Sequence, residues 1–428
     1  MLTAQTPMDP MRSVAERYVK LVLAVGQHDA DYVDAFYGPA EWRKAAEAEK
    51  LPLAAIGQQA EALEKDLLAV TTPPAAPKPG EGGPVAREAE LWGLRRQYLA
   101  RQLSALRARV SMLQGKRMTF DEESLALYDT AAPTIPEAEF EKVLTQLEAR
   151  LPGDGSLIDR YDRFKQGFVI PTARVDRVFR EAVRACRDRT MAHVELPPQE
   201  RFTIEYVTGK SWSGYNWYQG DYKSLIQVNT DLPIYIDRAI DLACHEGYPG
   251  HHVYNVLLEQ HLVRERGWIE YTVYPLFSPQ SLIAEGTANY GIEVAFSPAD
   301  RMTFEGEVLF PLAGLDGKRV QEYYGVLALV DRLSYAGNEA ARRYLDGSLD
   351  RAGAVSWLEK YAMYTRPRAE QRVKFIDQYR SYVINYNLGK DLIRAYVTRK
   401  AGRQASVSRQ WAEFTALLSS PRLPSGLK

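Results

Sequence analysis

The chain has 428 residues, of which 46% are hydrophobic and 25% are charged, and its formal net charge is −1. A chain of this length is longer than a single small core requires, so we expect two subdomains around a cleft. The balanced charge gives no electrostatic footprint for nucleic acid or an anionic membrane. No apolar run approaches the roughly 18 residues that a membrane span requires.

The chain begins with a segment that does not match a secretory signal. The longest apolar run near the N-terminus, residues 21–25, is too short for one. The chain contains two cysteines, Cys186 and Cys244, so we expect no disulfide framework and a reducing compartment. These features predict a cytoplasmic protein, and they say nothing about its oligomeric state.

Apolar residues at spacings of three and four predict a mainly α-helical chain. The predicted helices cover residues 12–26, 52–70, 86–113, 136–150, 171–192, 318–346, 348–364 and 368–398. Proline and glycine in residues 71–84 predict an exposed, mobile linker. We therefore expect residues 1–195 to form a helical N-terminal region. Residues 196–428 would form a second region with a small sheet, the chemically distinctive helices and further C-terminal helices.

Two short segments interrupt the helical pattern. Residues 202–207 and 224–231 alternate apolar and polar side chains, which is typical of β-strands. Between them lies a segment rich in glycine and aromatic residues, residues 214–221, which we interpret as a turn. The sequence thus predicts two strands of a small sheet just before the segment that contains most of the chemistry.

Three of the six histidines lie in one short segment, at His245, His251 and His252. Histidine is the commonest protein ligand for zinc, and a neighbouring glutamate, here Glu246, can act as a general base. In a His-Glu-x-x-His helix the two histidines are four residues apart and face the same ion. Here the fourth position after His245 is Pro249.

An unbroken helix would not bring these histidines together. His251 would point about 120° away from His245, and His252 would lie about 10.5 Å along the axis. Pro249 opposes a continuous helix, and the glycines beside it permit unusual dihedral angles. A two-residue bulge would place His251 where the second ligand usually lies, leaving His252 near the ligands or facing the substrate. The alternative, with His252 as the ligand, stays open.

A third ligand is predicted in the apolar segment of residues 281–296, where a lone buried carboxylate at Glu285 would be costly without a cation. Asn289, four residues later, faces the same way and could orient a ligand histidine. Asp241, four residues before His245, is a second candidate for that role. Three protein ligands and one open position are typical of catalytic zinc, so zinc is the expected cofactor.

These motifs resemble a large bacterial domain family of unknown function, whose members are regarded as candidate zinc metallopeptidases distantly related to gluzincins. The family pattern His-Glu-x-x-Pro-Gly-His-His matches residues 245–252, and Glu-Gly-Trp-x-x-Tyr-x-Glu is approached by residues 285–293, with Thr287 in place of the tryptophan. Residues 385–390 are similar to a later Ser-Tyr-x-x-Gly-Lys motif. A histidine between the second and third motifs and a Pro-Gly-Gln segment are missing, which bears on substrate contacts more than on the metal ligands.

The resemblance implies a mainly α-helical fold with a small sheet and a gluzincin-like architecture, of the thermolysin and neurolysin kind, around a metal-site cleft. It also implies a peptidase-like site, in which we expect zinc to activate water and Glu246 to move protons. Tyr386, in the third motif, is the first candidate donor to the oxyanion, and simple helix packing is its alternative.

Further candidates concern the substrate. Arg380 is a reserve donor, and Asn229 is expected near the cleft, where strand 224–231 could bind an extended peptide as an edge strand. Tyr215 is expected to line the approach, unless it belongs only to a folded aromatic turn. His252 is a candidate catalytic or substrate-facing residue.

The expected partner is a peptide or a small amide substrate, with no nucleic acid and no membrane. Two other functions stay open. One is a zinc hydrolase of non-peptide amides or esters, since the same groups serve any acyl transfer. The other is a non-catalytic binding protein on a peptidase scaffold, which Glu246 disfavours because a structural zinc site needs no base.

Overall fold

The computed structural model describes residues 9–70, 84–210 and 212–428. Within these residues the chain is mainly α-helical, as the sequence predicts. Most of the predicted linker, residues 71–83, lies outside the described residues, and Pro84 already belongs to a helix. None of the helices in the described part of the chain is long and apolar enough to cross a membrane.

The α-helices of the described residues are, in chain order, α1 Arg12–Val25, α2 Ala40–Glu49, α3 Leu53–Ala69, α4 Pro84–Leu113, α5 Phe120–Tyr128, α6 Glu137–Arg150, α7 Leu157–Gln166, α8 Val175–Met191, α9 Asp237–Leu242, α10 His251–Leu258, α11 Pro279–Ala295, α12 Pro298–Phe304, α13 Phe310–Ala313, α14 Val320–Asp331, α15 Ala336–Leu345, α16 Arg351–Tyr361, α17 Arg366–Tyr379, α18 Ile384–Ala401 and α19 Val407–Leu418. The strands are β1 Val33–Phe36, β2 Arg201–Val207, β3 Gly214–Gly220, β4 Lys223–Asn229 and β5 Val273–Pro275.

Helix α4 shows why these segments are helical. Its side chains Leu91, Tyr98, Leu103, Leu106 and Val110 recur at helical spacings, and each is at most 7% exposed. They form one apolar face against the core, while charged residues occupy the other positions. The larger core cluster contains residues from Met11 to Leu427, so it includes residues on both sides of the predicted boundary at residue 195. That domain boundary stays a prediction.

Two predicted helices are interrupted in the structure. The segment predicted as a helix over residues 318–346 is divided between α14 and α15. The segment 368–398 is divided at Arg380, whose φ of 52° is left-handed. Glu123 fixes this turn by pairing with the Arg380 guanidinium and accepting hydrogen bonds from the backbone N–H and hydroxyl of Ser381.

The three-stranded sheet corrects two predictions. Its strand order is β2-β4-β3, with β2 parallel and β3 antiparallel to β4. The segment interpreted as an aromatic turn is therefore strand β3, and β4 is the central strand rather than an edge. Alternate β4 residues Ser224, Ile226 and Val228 are buried, which explains why β4 was recognised from its alternation. β1 and β5 form a separate antiparallel pair.

The two cysteines also correct an expectation. Cys186 in α8 and Cys244, next to His245, form a disulfide. The prediction that the chain lacks a disulfide was wrong, because folding brings together residues 58 positions apart in sequence. The cytoplasmic location stays a prediction, without the support that free thiols would have given it.

Candidate metal centre

The segment with the predicted ligands does not form one continuous helix. Helix α9 passes into a π-helical turn at Ala243–Gly247, the chain is extended at Tyr248, and α10 begins at His251. The Tyr248–Pro249 peptide bond is cis. A Cβ atom on Gly250 would lie 1.9 Å from the His245 carbonyl oxygen, so only glycine fits where the chain turns back. This break brings His251 beside His245.

Three side chains converge at this break. The Nε2 atoms of His245 and His251 lie 3.1 Å apart, and Glu285 Oε2 lies 3.3 Å from the first and 3.8 Å from the second. Four ligands around zinc, each at about 2.0–2.1 Å, are separated by about 3.3 Å in a tetrahedral arrangement. The three separations match the spacing that zinc ligands require.

The hydrogen bonds around the cluster also fit a metal. Glu285 Oε1 accepts a bond from the Tyr382 hydroxyl at 2.9 Å, but the buried Oε2 has no hydrogen-bond partner among the described residues. The Nδ1 of His245 lies 3.1 Å from Asn289 Oδ1 and donates to it, because an amide oxygen can only accept. The Nε2 lone pair is therefore free, and the residues present fit a zinc ion.

Electrostatics within the cluster agree with a cation site. Burial raises the pKa of Glu285, but the imidazoles of His245 and His251 beside it outweigh this and hold the pKa well below its usual range. Burial lowers the pKa of His245, yet Glu285 and Glu246 raise it above its ordinary value. The carboxylates thus favour positive charge at this position, and a metal ion would supply it in place of protons.

A close helix crossing places Glu285 at the site. A Cβ atom on Gly286 of α11 would lie 2.5 Å from the carbonyl carbon of Gly389 in α18. A Cβ atom on Gly389 would lie 2.8 Å from the Leu282 carbonyl oxygen. Both glycines lie in the motifs that the sequence analysis singled out. Their physical role is to let α18, which follows Tyr382, approach the helix that carries Glu285.

Glu246, the predicted base, directly follows His245 and is buried. It is 4% exposed, and its carboxylate has no hydrogen-bond or ion-pair partner among the described residues. The Asn216 side-chain amide donates to the Glu246 backbone carbonyl at 2.7 Å. A Cβ atom on Gly214 would lie 3.0 Å from Glu246 Oε1, so strand β3 passes directly beside the carboxylate. The edge of the three-stranded sheet therefore borders the cluster.

Two tyrosines lie on the other side of Glu285. Tyr382 donates to Glu285, and the Tyr386 ring lies 5.8 Å from the Tyr382 ring. Burial raises the pKa of Tyr386, and the charges of Glu285 and Glu246 raise it further. The Tyr386 hydroxyl is thus a protonated donor at neutral pH that lies within the field of both carboxylates.

His252 is not placed as predicted. It is fully buried, with Nδ1 2.9 Å from the Ser224 hydroxyl and Nε2 2.9 Å from Glu200 Oε2. It connects β4 to Glu200 and does not face a substrate. The prediction of a catalytic or substrate-facing role was wrong because α10 begins at His251 and turns the next side chain into the core.

Asp241 and Arg380 are also engaged elsewhere. Asp241 pairs with Arg301 at 2.9 Å and with Arg238 at 3.3 Å rather than with a ligand histidine. Arg380 pairs with Glu123 at 2.6 Å and stabilises the turn before α18. Neither residue has the predicted role, because a charged partner from a distant part of the chain occupies each of them.

The predicted substrate contacts are only partly near the site. The Asn229 amide donates to the carbonyl oxygens of Lys210 and Trp212 and so fixes the loop before β3. The Tyr215 hydroxyl donates to the carboxylate of Asp34 in β1. Asp34 was missed, although its position in a short aromatic strand was the available signal. Burial and the negative charges of Glu285 and Glu246 raise its pKa to about 7, against a lowering by His251, which places it beside the cluster.

Comparisons with known proteins show similarity in fold alone. No protein-family model and no curated protein matches the chain. A candidate lipoprotein from Colwellia psychrerythraea is similar in structure, with a TM-score of 0.50 at 13% identity over 99% of this chain and 75% of that one. A candidate lipoprotein of unknown function from Shewanella oneidensis gives 0.45 at 13% identity over 100% and 79%. BsuCP gives 0.47 at 11% identity over 95% and 88%.

At 13% identity the likeness to the Colwellia psychrerythraea protein concerns the fold alone. It agrees with a mainly helical chain that has small sheets, and it identifies neither a ligand nor an activity. The residues of the cluster, rather than the fold, therefore carry the information about function.

Proposed function

We propose that the protein is a zinc-dependent hydrolase, and specifically a metallopeptidase with a gluzincin-like arrangement of the active site. The observation that carries this proposal is the convergence of two imidazole nitrogens and the unpartnered Glu285 Oε2 at separations of 3.1, 3.3 and 3.8 Å. The order of the ligands, with His-Glu in one helix and a third ligand in a later helix, supports the comparison with gluzincins.

His245, His251 and Glu285 would hold the metal. When bound, a zinc ion with three protein ligands supplies a Lewis acid and lowers the pKa of a water molecule to about 7. Glu246 would accept the proton of the attacking water and later deliver it to the leaving nitrogen. Its unpaired carboxylate suits this role, since no salt bridge has to break before it takes the proton.

Tyr386 would stabilise the negative charge that develops on the substrate carbonyl oxygen. Its hydroxyl stays protonated at neutral pH, because burial and the nearby carboxylates raise its pKa. Tyr382 is less suited to this role because its hydroxyl already donates to Glu285. A positioned donor of this kind stabilises a developing oxyanion more than water does.

Strand β3 would bind an extended substrate. It is an edge strand of the three-stranded sheet, and Gly214 lies against the Glu246 carboxylate. An extended peptide that pairs with such an edge runs alongside the base. This role belongs to β3, because the central position of β4 leaves it no free edge.

The proposal is tested by comparing the wild-type protein with Glu246→Gln. After reconstitution with zinc, the wild type should cleave members of a peptide library, with products identified by mass spectrometry. Glu246→Gln should keep its zinc while kcat falls by about 10²–10⁴-fold, because only the proton acceptor is lost. The exposed Glu47→Gln is the matched control and should behave as the wild type.

Two outcomes would change the proposal. Wild-type turnover in Glu246→Gln would show that Glu246 is not the base. A zinc-loaded wild type that hydrolyses esters or small amides in the same assay, but no peptide, would keep the hydrolase and reject the peptidase.

A further inference from the structure

Helix α17 carries two arginines without an acidic partner. Arg368 and Arg372 lie one helical turn apart, and neither forms an ion pair with any described residue. The Arg372 guanidinium carbon lies 4.6 Å from the ring centre of Phe375 and 5.9 Å from that of Tyr386. Its Nε atom is buried without a hydrogen-bond partner. The Arg372 side chain is half-buried, and no hydrogen bond ties it to another described residue.

Arg372 lies next to the candidate metal centre. Its charge acts on the Tyr386 hydroxyl, whose pKa it lowers, while burial, Glu285 and Glu246 raise it. The Tyr386 side chain is thus within the electrostatic influence of the Arg372 guanidinium and of the Glu285 and Glu246 carboxylates. The Arg372 guanidinium carbon lies 5.9 Å from the ring centre of Tyr386, so a group held by Arg372 would lie close to the substrate carbonyl that Tyr386 is proposed to contact.

Further positive charge surrounds Arg372. Burial alone would raise the pKa of Tyr364, yet Arg368, Arg372 and Arg238 lower it below its ordinary value. The Arg368 guanidinium carbon lies 4.5 Å from the Tyr364 ring centre. Arg238 has an acidic partner in Asp241, but Asp241 is shared with Arg301. The positive charges of these side chains favour a bound anion.

We propose that Arg372, supported by Arg368 and Arg238, binds a carboxylate of the substrate, which makes the C-terminal carboxylate of a peptide the favoured ligand. A guanidinium group can bind a carboxylate through two parallel hydrogen bonds, so the ligand chemistry is well defined. This inference rests on the proposed peptidase function. Hydrolysis there would add water across the last peptide bond, break its C–N bond and release one amino acid with its amine protonated.

The test is a binding measurement that does not depend on turnover. Isothermal titration compares N-acetylphenylalanine with its carboxamide, for the zinc-loaded wild type, Arg372→Ala and Arg372→Lys. The wild type should bind the acid about 10–100-fold more tightly, as expected for hydrogen bonds to a charged group. Arg372→Ala should lose most of this preference, and Arg372→Lys should keep part of it, since the charge stays but the paired geometry is lost.

The control is Arg366→Ala on the same helix, because Arg366 already pairs with Glu370 and Glu359 and should not affect the preference. A zinc ion can itself bind a carboxylate, so the decisive quantity is the change in the acid-to-amide ratio between the wild type and Arg372→Ala. A second pair, N-acetylglutamic acid α-amide and N-acetylglutamine α-amide, identifies the source of the carboxylate. If only this second pair shows a preference for the acid that depends on Arg372, the site binds an acidic side chain, and the C-terminal carboxylate is rejected as the ligand.

An unchanged ratio in Arg372→Ala, or no preference in the wild type, would overturn the inference whether or not peptides are cleaved. A different result would separate the two proposals. If the zinc-loaded wild type cleaves no peptide but prefers the acid to the amide, and Arg372→Ala loses that preference, the proposed function is rejected and the carboxylate site is kept.

Discussion

The side-chain oxygen of Asn289 lies 3.1 Å from Nδ1 of His245, on the side of the ring opposite the nitrogen that faces His251 and Glu285. This contact selects the tautomer of His245 in which Nε2 is free to bind a metal. The Asn289 amide nitrogen in turn donates to the Tyr386 backbone carbonyl at 3.2 Å, so α18 fixes the orientation of the asparagine.

Replacing Asn289 should therefore weaken metal binding without removing it. Asn289→Ala should lower the affinity for zinc by about 10–100-fold, measured by competition with a chelating dye. Asn289→Asp should preserve the affinity, because a carboxylate accepts the same hydrogen bond. Asn229→Ala, which removes hydrogen bonds to the loop before β3 and to the backbone of Asp231 but none to a ligand histidine, is the control. An affinity unchanged in Asn289→Ala would show that this hydrogen bond does not orient a ligand.

Mutagenesis should distinguish the roles of His251 and His252. His251→Ala should lose zinc, whereas His252→Ala should keep it and lower the free energy of unfolding by about 1–3 kcal/mol, because it removes one hydrogen-bond partner each from buried Glu200 and Ser224. Zinc content by mass spectrometry and urea denaturation measure the two effects. His252→Gln serves as a milder variant if His252→Ala does not fold. Zinc lost from the His252 variants and retained in His251→Ala would reverse the ligand assignment.

The disulfide should contribute to stability. Its cysteines are 58 residues apart, and closing a loop of that size in the unfolded chain is worth about 4 kcal/mol in the chain-entropy estimate. Reduction or Cys186→Ser should therefore lower the denaturation midpoint, and the reducing agent should have no effect on a Cys186→Ser/Cys244→Ser double variant. Two thiols that react freely in the native, unreduced protein would contradict the pairing.

Acid should destabilise the fold through His252. Burial lowers the pKa of His252 below its ordinary value despite the raising effect of Glu200. Below about pH 6.5 the unfolded chain binds a proton at this histidine that the folded chain does not, so the free energy of unfolding falls as the pH falls. His245 and Asp34, whose pKa values are raised, act in the opposite direction, so the test is a difference. On going from pH 7.5 to 5.5, zinc-free wild type should lose more free energy of unfolding, or gain less, than zinc-free His252→Gln.

Glu200 causes a second loss of folding stability at lower pH. Burial raises its pKa, but hydrogen bonds with His252, Tyr248 and Arg187 lower it below the ordinary 4.5. Its contribution is therefore present above pH 4.5 and is lost as the pH falls through the lower folded value. Equal pH dependence in the wild type and His252→Gln would show that this cluster does not govern acid sensitivity.

The geometry of the candidate metal centre could be predicted because its causes are local. A proline at position 249 with a glycine beside it breaks the helix whatever surrounds it, and a carboxylate at Glu285 in an apolar segment requires polar or charged partners wherever that segment lies. Both arguments need only the residue types and their spacing.

The missed features depend on contacts between distant parts of the chain. His252 forms a buried hydrogen bond with Glu200, which lies 52 residues away in sequence, and Arg380 pairs with Glu123, 257 residues away. Asp34 reaches the site only through the packing of β1 near β3. No pattern within a short window predicts such pairs.

Some elements were missed although a local signal existed. Helices α5 and α7 are short, with 9 and 10 residues, yet each begins with a capping box, Thr119 with Glu122 and Ser156 with Asp159. These pairs mark a helix start independently of periodicity. Strand β3 was mistaken for a turn because its glycines and aromatic residues suit both interpretations.

The central claim is that His245, His251 and Glu285 together bind one zinc ion. The most direct measurement is X-ray anomalous scattering recorded on both sides of the zinc absorption edge, from crystals of zinc-reconstituted wild-type protein. We predict one strong anomalous peak per chain, bonded to Nε2 of His245, Nε2 of His251 and the Glu285 carboxylate. No peak at these three residues, or a peak bonded to His252 or elsewhere, would contradict the account.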